Sequence, residues 1–162
     1  MALFPGRLVP YSRLDRLEGY RIALDEAGIE FDSQLVWEGI ASNFGDATAV
    51  DLGRQGAHDL LSKTNPPTAM ITINDMYAFG VYAGARDLGL NIPEDVSVVG
   101  VDDIALTEVV QPPLTTVRQP IRDITRLAVE RLIGRLQDTC EEPLGHQVLS
   151  PTLVVRASSA RC

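Results

Sequence analysis

Two adjacent carboxylates, Asp102 and Asp103, follow directly on the apolar run SVVGV, and a pair of this kind can carry chemistry. Such a pair can hold Mg²⁺ or act as the acid and base of a glycosidase. Successive side chains on a strand point to opposite faces, however, which disfavours paired acid–base work. The simpler alternative is an ordinary turn in which an Asp side chain bonds its own backbone.

Asn74 and Asp75 follow a second apolar run, AMITI, and raise the same question. One of them can cap the helix that follows, because Asn and Asp oxygens accept from first-turn N–H groups, while the other faces outward. In an open parallel sheet, ligands sit beyond the carboxyl ends of the strands. Both polar pairs are therefore expected to face one crevice.

The elements that must position these residues alternate along the chain. Short apolar runs are separated by helical patterns of ten to fifteen residues, which indicates βαβ units. The fold class predicted is α/β, with a mostly parallel, doubly wound sheet. Gly80 and Gly84 lie in one helix pattern and are expected to allow close helix-on-sheet packing. Strands are predicted at LFPGRLV, SQLVWEG, TAMITIN, DVSVVGVDD, TTVRQ and QVLSPTLVVR, and a charged helix from Pro120 to about Gln137.

Composition and spacing narrow the class of function. Lys and Arg number 14 against 22 Asp and Glu, so the chain lacks the basic footprint that nucleic-acid phosphates require. Its apolar runs are too short for a membrane span, and no signal-peptide core is present, so a cytoplasmic location is expected. Cys140 and Cys162 lack CxxC spacing and are expected to be reduced.

No catalytic or metal-binding set is found in the sequence. His58 lies within a helix pattern and His146 in a polar loop, so neither is placed to activate a nucleophile. Zinc spacing and phosphate-binding glycine loops are absent. We therefore expect no metal, no cofactor and no enzymatic activity.

Several segments together resemble the effector-binding region of lactose/galactose repressor (LacI/GalR) family transcription regulators. The resemblance rests on RLDRLEGYRIALDEAGI, PPTAMITINDMYAFGVYAGARDLGLNIPEDVSVVGVDD, PPLTTVRQP and SPTLVVRASS, in this order. It implies a core of two lobes like those of periplasmic sugar-binding proteins, with a small effector in the cleft between them. It also implies a dimer that binds operator DNA through a headpiece outside this chain.

The resemblance carries candidate ligand residues onto this chain. The cleft arginine of the RLxGY element falls on Arg16, the ND asparagine on Asn74 and the GxDD aspartate on Asp102. Such a trio suits a sugar or related polyhydroxylated ligand, because it donates to and accepts from hydroxyl groups. Further contacts are expected from Ser12, Asp75, Gln119 and the aromatic residue Phe44. Trp37 is interpreted as a core residue.

The resemblance also assigns an interface and a division into lobes. Dimer contacts map to Phe79, Tyr82 and Val110, whose alternative role is packing under the neighbouring helix. Residues 1–10 are expected to be the last strand of the other lobe, residues 11–118 the carboxyl-terminal lobe, residues 119–138 a helix returning to the other lobe, and residues 139–162 the final strand and tail. The returning helix should then leave Ile121, Ile124, Ala128 and Leu132 without a partner surface, so that this face is exposed, mobile or buried by another copy.

Two other classes compete with this interpretation. A sugar-binding protein of a transport or chemotaxis system shares the two-lobed fold. A stand-alone α/β enzyme would need a nucleophile or metal set that the sequence does not contain. The PEDVSVVGxDD and PPLTTVRQP elements favour the regulator.

Overall fold

The computed structural model describes residues 2–4, 11–39, 46–137 and 145–161. Within them, strands and helices alternate as the sequence pattern predicts. The strands are β1 (Ala2–Phe4), β2 (Ala69–Thr72), β3 (Ser97–Val101), β4 (Thr115–Arg118) and β5 (Thr152–Val154). The helices are α1 (Tyr11–Glu26), α2 (Asp46–Leu61), α3 (Asp75–Asp87) and α4 (Ile121–Leu136), with short 3₁₀ helices at Ser33–Leu35 and Ala105–Glu108.

The strands form one sheet in the order β1-β2-β3-β4-β5. The first four run parallel, and β5 pairs antiparallel with β4. The carboxyl ends of β2, β3 and β4 consequently meet at one edge, which is where the polar pairs lie. The predicted α/β class with a mostly parallel sheet is confirmed.

Helices cover both faces of this sheet. On one face, α2 and α3 enclose a core with fully buried Met70, Val98 and Leu114 at its centre. On the other face, Tyr20 and Leu24 of α1 are buried beside Ile71. Burying such side chains contributes roughly 1.5–3 kcal/mol each, which makes the larger cluster under α2 and α3 the main source of stability.

Two predicted strands differ from the structure. The run SQLVWEG forms the 3₁₀ helix Ser33–Leu35 instead of a strand, because Asp32 caps it through a 2.8 Å bond from the Gln34 N–H. Trp37 packs on the core as interpreted, and its indole nitrogen donates to Asp59 at 2.8 Å. The edge of β2 is instead occupied by β1. The sequence interpretation assigned residues 1–10 to the other lobe, whereas Ala2–Phe4 pair with β2 of this sheet.

Helix α4 packs weakly on the rest of the chain. As predicted, its apolar side chains are exposed, among them Ile121, Ile124, Ala128 and Leu132. Cys140 and Cys162 lie outside the described residues.

The glycines of α3 pack against a helix and not against the sheet. A Cβ on Gly80 would lie 2.1 Å from the Val50 carbonyl oxygen, and one on Gly84 would lie 2.6 Å from the Ala57 Cβ. The prediction that these glycines allow a helix to pack closely on the sheet was therefore wrong. They allow α3 to approach α2.

We predict that Gly80→Ala lowers the free energy of unfolding by about 2–3 kcal/mol, because the backbone of α2 must shift to admit the methyl group. Urea denaturation measures this. Gly19→Ala is the control, since a Cβ there meets nothing within 4 Å, and it should stabilise by roughly 0.5–1 kcal/mol through helix propensity. An equal response to both substitutions would contradict the close approach of the two helices.

Candidate functional site

Asn74 is the residue that caps α3. Its side-chain oxygen accepts a 3.1 Å hydrogen bond from the Tyr77 N–H, and its backbone is extended. Asn74 is half-buried at the end of β2, and the side-chain nitrogen is not used by this cap. The capping alternative is thus correct for Asn74, which is not among the residues that line the cavity described below.

Asp75 lies inside the fold, although the sequence interpretation placed it at the ligand. It is 1% exposed, and its two oxygens accept from the Thr116 hydroxyl at 2.6 Å and the Ile104 N–H at 3.0 Å. Burial raises the pKa of Asp75, and the bonds from Thr116 and Ile104 only partly oppose this. Asp75 therefore links β4 to the loop that follows β3 from a buried position.

Asp102 and Asp103 form a turn with left-handed backbone, at φ 115° and 56°. The Asp102 N–H donates to the Val117 carbonyl at 2.9 Å, which fixes the turn to β4. The half-buried Asp102 carboxylate accepts from the Gln119 side-chain nitrogen at 2.5 Å. The turn interpretation expected a side chain bonded to its own backbone, whereas the Asp102 side chain bonds Gln119, which the turn brings close.

Asp103 is an anchor, with a side chain only 6% exposed. It accepts from Arg156 at 2.7 Å, from Arg118 at 2.5 Å and from the Thr107 hydroxyl at 3.3 Å. Burial of this carboxylate works to raise its pKa, but the hydrogen bonds and charges of Arg156 and Arg118 outweigh burial and hold the pKa of Asp103 below its usual value. Sequence reasoning missed Arg156, because its partner lies 53 positions away along the chain.

A cavity of about 530 Å³ opens between α1, the sheet and the start of α4. Arg16 and Gln119 line it together with the apolar side chains of Ile71, Val101 and Val117. Gln119 also bonds Asp102, so the cavity that Arg16 and Gln119 line lies next to the Asp102 carboxylate. Ser12 lies in the first turn of α1, and Phe44 lies outside the described residues.

The predicted interface residues lie on the opposite face of the sheet. Phe79, Tyr82 and Val110 are half-buried and line a groove of about 500 Å³. The Tyr82 hydroxyl donates to the Pro112 carbonyl at 2.9 Å, and burial raises its pKa to about 12. The Tyr82 hydroxyl thus stabilises the packing of α3 against the segment at Pro112, and the Tyr82 side chain also lines the groove.

Comparisons with known proteins agree with this architecture. A family described as "Periplasmic binding protein-like domain" matches residues 4–159. The chain therefore belongs to this family of domains.

The curated relatives place the chain more narrowly. It is 36% identical over 158 residues to the HTH-type transcriptional repressor PurR of Vibrio atlanticus, covering 98% of this chain and 45% of the relative. It is 35% identical over 158 residues to the ribose operon repressor of Haemophilus influenzae, covering 98% and 45%. The chain thus spans about half the length of the curated relatives it matches.

Solved structures give the same result. A LacI-family regulatory protein from Chloroflexus aggregans matches with a TM-score of 0.86 at 31% identity, over 98% of this chain and 54% of that one. A LacI-family regulator from Enterococcus faecium with bound ribose matches with a TM-score of 0.84 at 31% identity, over 98% and 56%. The lac repressor dimer bound to operator matches with a TM-score of 0.83 at 31% identity, over 99% and 52%.

These matches confirm the resemblance to LacI-family regulators. The relatives named above are transcriptional regulators rather than enzymes or transport proteins. Among the helices that the structure describes, none is long and apolar enough to cross a membrane. In the same described ranges, no group of three potential metal ligands lies together.

Asp75 and Asp103 should make the free energy of unfolding depend on pH in opposite directions. The raised pKa of Asp75 means that the folded chain holds this proton more readily than the unfolded chain. We compare the free energy of unfolding of the wild type with that of Asp75→Asn. We predict that the difference falls as pH rises from the ordinary Asp pKa of about 3.9 through the raised pKa of Asp75. Urea denaturation at a series of pH values measures this.

Asp103 supplies the comparison, because its pKa is lowered. Its stabilisation is present above about pH 3.9 and is lost as pH falls through the lowered value. Relative to Asp103→Asn, the wild type should therefore lose stability on acidification. If the wild type instead gained stability over Asp75→Asn with rising pH, the assignment of Asp75 would be wrong.

Proposed function

We propose that this chain is the effector-sensing region of a DNA-binding transcriptional regulator, and that its effector is a sugar or a related polyhydroxylated molecule. The observation that carries the proposal is that Arg16 and Gln119 line one cavity beside the parallel strands, and that Gln119 also bonds Asp102 at the end of β3. Ribose bound to the Enterococcus faecium regulator, at 31% identity, supports this class of ligand.

The chemistry of the crevice suits hydroxyl groups. The Asp102 carboxylate can accept from two neighbouring hydroxyls, and the Arg16 guanidinium donates a fork of hydrogen bonds. Gln119 already donates to Asp102 at 2.5 Å, so it holds this carboxylate in place and offers its own oxygen to a ligand. The apolar floor of Val101 and Val117 can receive the less polar face of a sugar ring.

In this proposal the effector is bound between two lobes, and this chain supplies one of them. Residues 11–118 with the strand β5 form the carboxyl-terminal lobe, and the exposed apolar face of α4 packs on the other lobe of the intact protein. Effector binding between the lobes changes the affinity of a separate headpiece for operator DNA. The 22 acidic residues of this chain outnumber its 14 basic residues, which supports a DNA-binding surface outside this region.

Binding, and not catalysis, is the task assigned to this region. In the described part of the chain, His58 is engaged on the surface with Asp87 at 3.1 Å, and His146 is exposed. Neither histidine lies at the crevice. A regulator that acts on DNA in a bacterial cell would work in the cytoplasm.

The groove at Phe79, Tyr82 and Val110 is the proposed homodimer contact. These side chains are partly exposed together beside the more exposed Leu106 and Val109. Apolar groups clustered in this way mark protein interfaces. The operator-bound dimer of the lac repressor supports a two-fold arrangement.

We predict that Asp102→Asn in the full-length protein abolishes the response to effector and leaves folding and operator binding intact, because Asn also tolerates the positive φ of this residue. Loss of a charge-assisted hydrogen bond should cost roughly 1.5–3 kcal/mol, which is a weakening of about tenfold to more than a hundredfold. Calorimetric titration with the sugar that the wild type binds measures this. Glu26→Gln, which removes an exposed carboxylate from the far end of α1, should change nothing. An unaltered affinity in Asp102→Asn would rule out the assignment.

For the interface, we predict that Phe79→Asp converts the dimer into a folded monomer, because a desolvated charge would face the partner. Sedimentation velocity gives the state of association. Ile22→Asp places the same charge on an exposed apolar position of α1 and should leave the dimer unchanged. Persistence of the dimer in Phe79→Asp, or its loss in Ile22→Asp, would place the interface elsewhere.

A further inference from the structure

The turn that presents Asp102 is held in an unfavourable conformation. Asp102 and Asp103 both have positive φ, at 115° and 56°. Residues other than glycine rarely adopt this region, and two in succession persist only when the surroundings fix them. Asp and Asn tolerate it better than most residues. The turn therefore needs anchors outside itself.

One anchor is Arg156, on the segment that follows β5. Its side chain is 12% exposed, and one terminal nitrogen donates to Asp103 at 2.7 Å. Its other terminal nitrogen donates to the Leu114 carbonyl at 2.8 Å, and its backbone N–H donates to the Thr115 hydroxyl at 2.9 Å. The guanidinium is thus fixed to the entrance of β4 before it reaches the turn.

A second anchor fixes the other side of the turn. The Ile104 N–H donates to buried Asp75 at 3.0 Å, and the Asp103 carboxylate is directed inward to Arg156. With both following residues held, the Asp102 side chain points toward Gln119. The direction of the Asp102 carboxylate consequently depends on these contacts as well as on its own bonds with Val117 and Gln119.

We infer that Arg156 is a positioning residue for effector recognition, which it serves by holding Asp103 and so aiming Asp102 into the crevice. The inference rests on the proposed function. Arg156 lies on the segment after β5. It donates to Asp103 and not to Asp102, so it would act on the ligand site indirectly.

Arg118 provides the matched control. It also bonds Asp103, at 2.5 Å, but its side chain is 55% exposed, so solvent screens the pair. An effect of positive charge alone would appear in both Arg118→Gln and Arg156→Met. An effect of the buried anchor would appear only in Arg156→Met.

The first measurement needs no ligand. Backbone chemical shifts and scalar couplings from NMR report φ at Asp102 and Asp103 in the full-length protein. We expect Arg156→Met to lose the left-handed signature at both residues, and Arg118→Gln to retain it. Retention of the signature in Arg156→Met would overturn the inference. If Arg156→Met fails to fold, Asp103→Asn tests the same anchor, because Asn tolerates the backbone but lacks the charge that holds the guanidinium.

The second measurement separates positioning from general stability. Calorimetry with D-ribose and with cellobiose as probes would compare the wild type, Arg156→Met, Asp102→Asn and the double variant. We expect Arg156→Met alone to weaken the affinity for the sugar at least tenfold. Added to Asp102→Asn, it should weaken the affinity by less than twofold. An equal loss in both backgrounds would show that Arg156 does not act through Asp102. If neither sugar binds the wild type, D-ribose and cellobiose are excluded as its effectors, while the NMR measurement still decides whether Arg156 holds the turn.

Discussion

The arrangement of the strand ends depends on the buried carboxylate of Asp75. It accepts from Thr116 on β4 at 2.6 Å and from Ile104, after β3, at 3.0 Å, while its own backbone begins α3. Gly100 makes this possible, because a Cβ there would lie 2.2 Å from the Asp75 oxygen. One side chain thus ties the start of α3, the loop after β3 and the strand β4 together. A buried carboxylate is tolerable only because both oxygens are hydrogen-bonded.

The candidate site is built on that support. Asp75 and Arg156 hold the two residues that follow Asp102, and Gln119 holds the Asp102 carboxylate. Rigid strand ends position these groups better than a free loop would, and preorganised groups lose less entropy when a ligand binds. The final residues take part in the same framework, since the Ser158 hydroxyl donates to the Val98 carbonyl at 2.6 Å and accepts from the Thr115 N–H at 2.7 Å.

Much of this was predictable from the sequence, for identifiable reasons. The apolar runs before Asn74 and Asp102 gave β2 and β3, and the crevice follows from their shared direction. The roles of Asn74 and Asp75 were left open, because adjacent polar residues after a strand look alike until packing buries one of them. The strand expected at SQLVWEG is absent because Asp32 caps the 3₁₀ helix Ser33–Leu35, and β1 pairs with the edge of β2 instead. Arg156 was missed because an ion pair across 53 positions leaves no local pattern.

The central claim is that a sugar-like effector binds where Gln119 meets Asp102. An NMR titration of the full-length protein with D-ribose and related sugars tests it directly, since the Gln119 side-chain amide donates its proton to Asp102 at 2.5 Å and reports any ligand there. The account predicts saturable shifts of that amide and of the Asp102 backbone resonance, with the groove at Phe79 and Tyr82 unaffected. Saturable shifts confined to that groove, or a Gln119 amide that stays unchanged while a sugar binds, would contradict it.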